Sequence, residues 1–317
     1  MTAGSPPSPT PEADGFGDRL AVLVAARASQ IVLGLDPDPA RLWPEALDAA
    51  GPPGPPPAER AARAVAVHCQ LAIEAAGQEC VAVKLQVACF ERLGGPGWAA
   101  LASVVQTARA AGLLVIADAK RGDIGVTAAA YAQAFFGETP TPFGPVPGLG
   151  VDALTVNPLL GIDSIEPLVA AARARGAGLL ILVRTSNPGA ADVQELQLAS
   201  SCAVSDRLAD IVSELGAPGI GAAGLSDVGA VVGATAPGRL EALRARMPRT
   251  IFLLPGVGAQ GARVEDLAPA FAPGPAGGLI AASRGIVNAY QQSGGEPAAA
   301  ARNEAARLRE LAWSLST

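Results

Sequence analysis

The chain of 317 residues has little of the side-chain chemistry on which many enzymes rely. Its only histidine is His68, and its four cysteines, at positions 69, 80, 89 and 202, form no CxxC pair. Catalytic triads, histidine-based metal sites, zinc sites and a disulfide framework are therefore not expected. His68 lies in a helical stretch rich in Ala and Val, where we interpret it as a packing or surface residue.

Charge and long hydrophobic runs are also limited. The net charge is −6 and no run of basic residues offsets it, so nucleic acid is not an expected partner. No apolar run approaches the ~20 residues of a membrane helix. No GxGxxG follows the first predicted strand and the chain has no GxxxxGK(S/T) element, so neither a nicotinamide nor an ATP cofactor is indicated. The N-terminus lacks a basic segment, and its apolar stretch is short and interrupted. We expect a cytoplasmic protein with a flexible leader over residues 1–15.

Lysine is nearly absent from the chain. Lys84 and Lys120 are the only lysines among 23 basic residues, and the other 21 are arginines. An ammonium group is compact and can lose its proton, whereas a guanidinium group is bulky and stays charged. We therefore expect both lysines to occupy positions where arginine cannot replace them.

Eight short apolar runs alternate with Ala-rich helical stretches. Because the runs are continuous, they are typical of strands buried on both faces of a parallel sheet. Eight β-then-α units in a chain of this length favour a single-domain (β/α)8 TIM barrel over a doubly wound sheet. The predicted strands cover residues 31–35, 81–85, 113–117, 153–156, 179–183, 228–233, 251–254 and 279–282.

The barrel is predicted to span residues 16–317, with Pro-rich loops at 51–57 and 138–148. A last Ala- and Arg-rich helix, over residues 297–315, is expected to pack on its outside. The other predicted helices cover residues 58–76, 98–111, 164–175, 199–215, 237–247 and 264–271.

Polar residues cluster just after the predicted strands, where barrels of this class carry their function. Both lysines belong to this set. Two glycine-containing turns, PGVGAQG and ASRG, follow the last two strands, where barrel enzymes commonly bind phosphate. The strand-end residues are Asp36, Lys84, Asp118, Lys120, Asp123, Thr155, Asn157, Arg184, Ser186, Gln260, Ser283 and Arg284.

The segment from Asp118 to Asp123 is the densest part of this set. Side chains alternate along a strand, so Asp118 and Lys120 are expected to point to the same side. Asp36 and Lys84 come from neighbouring strands and complete an array of two ammoniums and three carboxylates. A buried ion-pair network that only closes the barrel end is the structural alternative, but such networks are costly to desolvate. That cost favours a functional role.

These motifs resemble one enzyme family. The DxKxxD array of Asp118, Lys120 and Asp123, together with Asp36, Lys84 and the motifs TSNPG, PGVGAQG and ASRG in this order, is similar to orotidine 5′-phosphate decarboxylases. The longer bacterial branch of that family is the nearer match. The similarity covers residues 30–290 and leaves the leader and the last helix outside.

The resemblance implies a carboxy-lyase that converts orotidine 5′-monophosphate (OMP) to uridine 5′-monophosphate (UMP) and CO2 in pyrimidine synthesis. It implies no cofactor and no metal. Lys120 would donate a proton to C6, and Asp118 would face the departing carboxylate. Asp36 and Lys84 would hold the ribose hydroxyls and link the charged array.

The resemblance also implies binding roles and a homodimer. Ser186 would recognise the amide edge of the pyrimidine, and Gln260 and Arg284 would bind the phosphate. Asp123 would reach, together with Thr127, into the active site of the partner subunit. Asn157 is a further substrate-binding candidate at a strand end without a defined role, and Arg184 occupies a similar position.

Three other functions share parts of this pattern. A sister enzyme that acts on a sugar phosphate through a Mg²⁺-held enediolate would have the same barrel and DxKxxD array. A Schiff-base aldolase would use one lysine made nucleophilic by the other. A non-catalytic nucleotide-binding barrel would be expected to carry a broken Asp/Lys array, whereas this array is intact.

Overall fold

The computed structural model describes residues 15–52, 54–258 and 261–316; most of the predicted leader and Gln260 lie outside these residues. Eight parallel strands form a closed barrel, and a separate two-stranded antiparallel hairpin consists of β4 (Glu138–Thr139) and β5 (Val146–Pro147). In barrel order the strands are β1 (Ile31–Leu35), β2 (Ala82–Gln86), β3 (Leu114–Arg121), β6 (Ala153–Val156), β7 (Gly178–Arg184), β8 (Val228–Val232), β9 (Phe252–Pro255) and β10 (Gly278–Ala282).

The barrel architecture and all eight predicted strands are confirmed, with shifts of one or two residues at most ends. The largest difference is at β3, which continues to Arg121 instead of ending at residue 117. Apolar residues are buried on both faces of the strands: Val32 packs inside the barrel, and its neighbours Ile31 and Leu33 pack under the outer helices. This two-sided burial explains why the runs are continuous rather than alternating.

Helices surround the barrel and close its amino-terminal end. The helices are α1 (Phe16–Arg27), α2 (Pro44–Asp48), α3 (Pro57–Ala76), α4 (Val87–Glu91), α5 (Gly95–Ala110), α6 (Gly125–Phe135), α7 (Glu166–Arg173), α8 (Ala191–Gln194), α9 (Val204–Gly216), α10 (Pro237–Arg246), α11 (Arg284–Val287), α12 (Tyr290–Ser293) and α13 (Pro297–Ser316). None of the helices in the described ranges combines the length and the apolar character that crossing a membrane requires.

Seven of these helices were not predicted, and two predictions need correction. The two long unpredicted helices are α1 and α6; the other five, α2, α4, α8, α11 and α12, have only four or five residues each. The helix predicted from residue 199 begins only at Val204, after a loop. The stretch Val264–Phe271 is a 3-10 helix that contains Pro269, which cannot donate the backbone hydrogen bond of a regular α-helix.

Helix α1 seals the barrel floor. Phe16, Leu20 and Val24 recur every fourth residue, so they share one face of the helix, and each is almost fully buried. They belong to the same apolar cluster as inward-facing strand residues such as Val32 and Leu180. The interior is therefore closed at the amino-terminal ends of the strands.

Two arginines fasten loops at this closed end. Arg244 is 5% exposed, and its guanidinium stacks on Phe252, 3.6 Å from the ring centre. Burial lowers the pKa of Arg244 to about 9. Its four hydrogen bonds, of 2.7–2.9 Å, go to the carbonyl oxygens of Met247, Thr250, Ala270 and Gly277.

Arg27 donates hydrogen bonds in the same way to the carbonyl oxygens of Gly77, Cys80, Ala111 and Gly112. A lysine has too few donors in the required fork to replace either one.

His68 belongs to the core, so of the two roles expected from the sequence, packing or surface, it has the packing role. It lies in α3, is 4% exposed, and its Nδ1 accepts a hydrogen bond of 3.2 Å from the backbone N–H of Trp43. The two rings meet edge to face, with their centres 5.4 Å apart. Burial lowers the pKa of His68 to about 4, so the imidazole is neutral at pH 7.

We predict that His68 makes the protein sensitive to mild acid. The unfolded chain takes up a proton on this side chain near pH 6.5, whereas the folded protein does so only near pH 4. The associated stability is complete above pH 6.5 and is lost as the pH falls to 4, by about 3 kcal/mol. Urea denaturation at a series of pH values measures this loss.

The matched variant is His68→Asn, which keeps an acceptor near the position of Nδ1 but does not titrate in this range. Its free energy of unfolding should fall less steeply than that of the wild type between pH 6.5 and 4. Parallel profiles for the two proteins would contradict the assignment.

Candidate active site

The carboxylate of Asp118 lies between the two lysines of the chain. Lys84 Nζ is 2.8 Å from Asp118 Oδ2, and Lys120 Nζ is 2.6 Å from Asp118 Oδ1. Lys84 Nζ also lies 3.5 Å from Asp36 Oδ1, at the end of β1. The structure therefore brings together four of the five groups of the predicted array, from three adjacent strands.

Two neutral side chains complete the surroundings of Asp118. Thr155 Oγ1 donates to Asp118 Oδ1 at 2.9 Å, and Gln86 Nε2 donates to Oδ2 at 3.3 Å. Gln86 was not among the predicted site residues, and Thr155 was noted only at a strand end. The parallel register pairs Gln86 directly with Asp118 across β2 and β3, a relation that a single strand does not reveal.

The charges fix the protonation states of the buried pair. Burial alone would raise the pKa of Asp118, but the ammoniums of Lys84 and Lys120 hold it well below its usual range. Burial alone would lower the pKa of Lys84, but the carboxylates of Asp118 and Asp36 raise it above its usual value. At neutral pH, Asp118 is a carboxylate and Lys84 is a cation.

The two lysines differ in how far they are enclosed. The Lys84 side chain is 8% exposed and is held by two carboxylates, whereas the Lys120 side chain is 44% exposed and is held by one. Lys120 is thus the ammonium that a molecule in the cavity can reach. Lys84 holds the Asp118 carboxylate from the buried side.

The backbone at Lys120 departs from a regular strand. Its φ is +50°, in the left-handed region, and the pairing of β3 with β6 shifts register between Ala117 and Arg121. The N–H of Lys120 is satisfied by Thr155 Oγ1 at 2.9 Å. The prediction that Asp118 and Lys120 lie side by side is confirmed, but the reason given for it, regular alternation along a strand, is wrong. A β-bulge brings the two side chains together, and its backbone strain costs about 1–3 kcal/mol.

A cavity of about 380 Å³ opens above this array at the carboxyl ends of the strands. Its floor includes the apolar residues Leu182, Val231 and Leu253 from inside the barrel. The volume suits a ligand of small-molecule size with one apolar face. The predicted residues that line it are Asp36, Lys84, Asp118, Lys120, Ser186 and Arg284.

Arg284 is exposed at the start of α11 and forms no ion pair with a carboxylate in the described ranges. Its neighbour Ser283 and Gly256, at the end of β9, also line the cavity. This edge therefore offers an uncompensated cation to an anionic ligand. Gln260, the other predicted phosphate ligand, lies outside the described residues.

Four predicted or noted residues lie outside the cavity. Asp123 Oδ1 accepts from the N–H of Ile124 at 2.8 Å, and Thr127 is exposed on α6. The side-chain oxygen of Asn157 accepts from the N–H of Leu159 at 3.0 Å, so it supports its own loop. Arg184 pairs with Glu195 at 2.7 Å. The structure thus gives Asn157 and Arg184 local roles in their loops.

Sequence and structure comparisons agree on one family. Residues 29–302 match the family described as "Orotidine 5′-phosphate decarboxylase / HUMPS family". The chain is 46% identical over 239 residues to an orotidine 5′-phosphate decarboxylase of Deinococcus radiodurans, covering 75% of this chain and 81% of the relative. A relative of the same name from Haloarcula marismortui is 39% identical over 293 residues and covers 91% of each chain.

A solved structure gives the same result. The structure of OMP decarboxylase from Leishmania donovani aligns with a TM-score of 0.72 at 31% identity, over 94% of this chain and 99% of that chain. The shared barrel, the extent of the match and the intact Asp/Lys array lead to one conclusion. The chain belongs to the orotidine 5′-phosphate decarboxylase / HUMPS family.

Proposed function

We propose that this barrel decarboxylates OMP to UMP and CO2, with the reaction centre at Asp118 and Lys120. The observation that carries the proposal is the pairing of a buried carboxylate with a cavity-facing ammonium, 2.6 Å apart. The named relatives favour this reaction over that of a Mg²⁺-dependent sister enzyme. In this reaction the bond between C6 and the carboxylate breaks, and its electron pair stays on C6.

Lys120 stabilises the charge that develops at C6. The electron pair on C6 lies in a ring orbital that cannot delocalise it well, so a fixed cation beside that carbon is needed. At ~3 Å, an ammonium and a carbanion attract each other by about 5 kcal/mol at an effective dielectric constant of ~20. Lys120 then transfers a proton to C6, which completes UMP, and the amine regains a proton from solvent.

Asp118 acts on the substrate carboxylate, by repulsion rather than attraction. A substrate carboxylate placed beside it is repelled before the reaction, and this repulsion disappears as neutral CO2 leaves. Because Lys84 keeps Asp118 ionised, the repulsion is present throughout binding. Asp36, whose side chain is 35% exposed and lies 3.5 Å from Lys84, is placed to bind a ribose hydroxyl.

The phosphate lies far from the reacting bond but contributes to the rate. Its attraction to Arg284 supplies binding free energy that holds the pyrimidine against the Asp118 carboxylate. Ser186, at the end of β7, lines the same cavity and is placed to recognise the pyrimidine edge. Gln260 is proposed to join Arg284 at the phosphate.

The direct test is the loss of absorbance from OMP with purified, EDTA-treated protein. We expect CO2 and UMP in equal amounts and no requirement for added Mg²⁺. Activity on a sugar phosphate that returns only with Mg²⁺ would support the sister enzyme instead. Borohydride trapping of a lysine by a carbonyl substrate would support the aldolase.

Lys120→Arg should lower kcat by about a thousandfold, because the guanidinium group keeps the charge but is too large and too weak an acid to protonate C6. OMP turnover and UMP binding are measured on the same preparation. Arg207→Lys, an exchange of the same two residue types on an exposed helix, is the control and should match the wild type. Near-normal turnover in Lys120→Arg would remove this residue from the mechanism.

We further propose that the protein works as a homodimer in which Asp123 and Thr127 enter the partner's cavity. Neither residue lines the cavity of its own chain. Their sequence neighbours Val126 and Ile124 are exposed by 87% and 56%, and Leu159, after the adjacent strand β6, is exposed by 78%. An exposed apolar cluster of this kind marks an interaction surface.

Val126→Asp should therefore convert the dimer into monomers and reduce turnover, because a charge would be buried at the interface. Sedimentation equilibrium and the OMP assay measure both effects. Val22→Asp alters an exposed valine on α1, at the other end of the barrel, and should leave both unchanged. A monomeric wild type, or a dimeric and active Val126→Asp variant, would refute the proposed interface.

A further inference from the structure

Trp43 connects the loop after β1 with the helix that carries Arg284. Its indole N–H donates to the carbonyl oxygen of Val287 at 3.1 Å, and both residues are buried, with exposures of 1% and 7%. Val287 is the last residue of the short helix α11, of which Arg284 is the first. A bond at one end of this single turn therefore restrains the backbone at the other end.

His68 fixes Trp43 from the opposite side. Its Nδ1 accepts from the backbone N–H of Trp43, so in the neutral ring the proton lies on Nε2. The edge-to-face contact of the two rings also limits rotation of the indole. His68 lies in the middle of the 20-residue helix α3, which is a rigid element. Its contacts therefore hold Trp43 in a fixed position relative to that helix.

Arg284 depends on its backbone because its side chain has little other support. It forms no ion pair with a described carboxylate, and it lies between two cavities. Behind the substrate cavity is a second space of about 110 Å³, which is lined by Asp36, Arg41, His68, Cys69, Arg284 and Asn288 among others. The direction of the guanidinium is therefore set mainly by the placement of α11.

The same connection begins at Asp36. The loop from Asp36 to Trp43 starts at the group proposed for the ribose and ends at the residue that holds α11. Ribose and phosphate are separated by a fixed distance in a nucleotide. A protein that binds both must hold these two elements at a matching distance.

We propose that Trp43 and His68 are positioning residues that set Arg284 for the phosphate of the nucleotide. This inference rests on the proposed function. It assigns the preference for a phosphorylated substrate partly to two buried side chains that do not touch the phosphate. Removal of either hydrogen bond should weaken the use of OMP without altering the use of orotidine, which lacks the phosphate.

The test compares kcat/KM for OMP and for orotidine in a double-mutant cycle. Trp43→Phe keeps an aromatic ring but removes the indole N–H, and should lower kcat/KM for OMP about five- to tenfold. The value for orotidine should stay within about twofold. In an Arg284→Ala background, which itself loses OMP turnover, Trp43→Phe should cause little further loss, because its effect acts through Arg284.

His68 is tested with a matched pair of variants. His68→Leu removes the acceptor and should reproduce the OMP-specific loss, whereas His68→Asn keeps an acceptor and should lie near the wild type. Trp98→Phe, on the surface of α5, is the control for loss of an indole and should change neither substrate. Thermal unfolding of each variant shows whether it is folded at the assay temperature.

The outcomes separate the inference from the function on which it rests. A wild type that does not convert OMP would refute the proposed function. An active wild type whose Trp43→Phe variant loses OMP and orotidine turnover equally, or adds its full loss to that of Arg284→Ala, would show a purely structural role. If His68→Leu does not fold, the cycle with Trp43→Phe decides alone.

Discussion

The site depends on one buried carboxylate held between two ammoniums. Removing Lys84 would leave part of the charge of Asp118 uncompensated inside the protein, and breaking such a buried pair costs about 3–5 kcal/mol. Lys84 is enclosed between Asp118 and Asp36, whereas the Lys120 side chain is 44% exposed, so Lys120 carries the accessible ammonium of the array. The arrangement is costly to bury, so its value lies in chemistry rather than in stability.

The barrel could be predicted from the sequence because its strands are buried on both faces. Each appears as a short continuous apolar run, and eight such runs leave few other architectures. Helix α1 was not predicted because the apolar stretch of its segment is short and interrupted, although Phe16, Leu20 and Val24 have helical spacing. The 3-10 geometry around Pro269 depends on local packing that apolar periodicity does not describe.

For the site, the sequence shows which residues follow the strands, but it does not show which residues of neighbouring strands pair with one another. The sequence predicts that Asp36, Lys84, Asp118 and Lys120 lie together, since parallel strands end at one rim, and these four side chains do lie together in the structure. Gln86 reaches Asp118 through the register of β2 and β3, and the bulge at Lys120 arises from pairing with β6. Both depend on neighbours that are distant in the sequence.

The sealed floor of the barrel has a consequence for the order of product release. In the part of the chain that the structure describes, α1 and apolar side chains close the barrel below Asp118. A CO2 molecule formed beside Asp118 would therefore leave through the same cavity opening by which the nucleotide enters. In the proposed reaction carbon dioxide is small and neutral, whereas the phosphate of UMP would still be bound at Arg284. A single opening would thus make carbon dioxide pass the pyrimidine ring on its way out, and the free enzyme would form only after the nucleotide has also left.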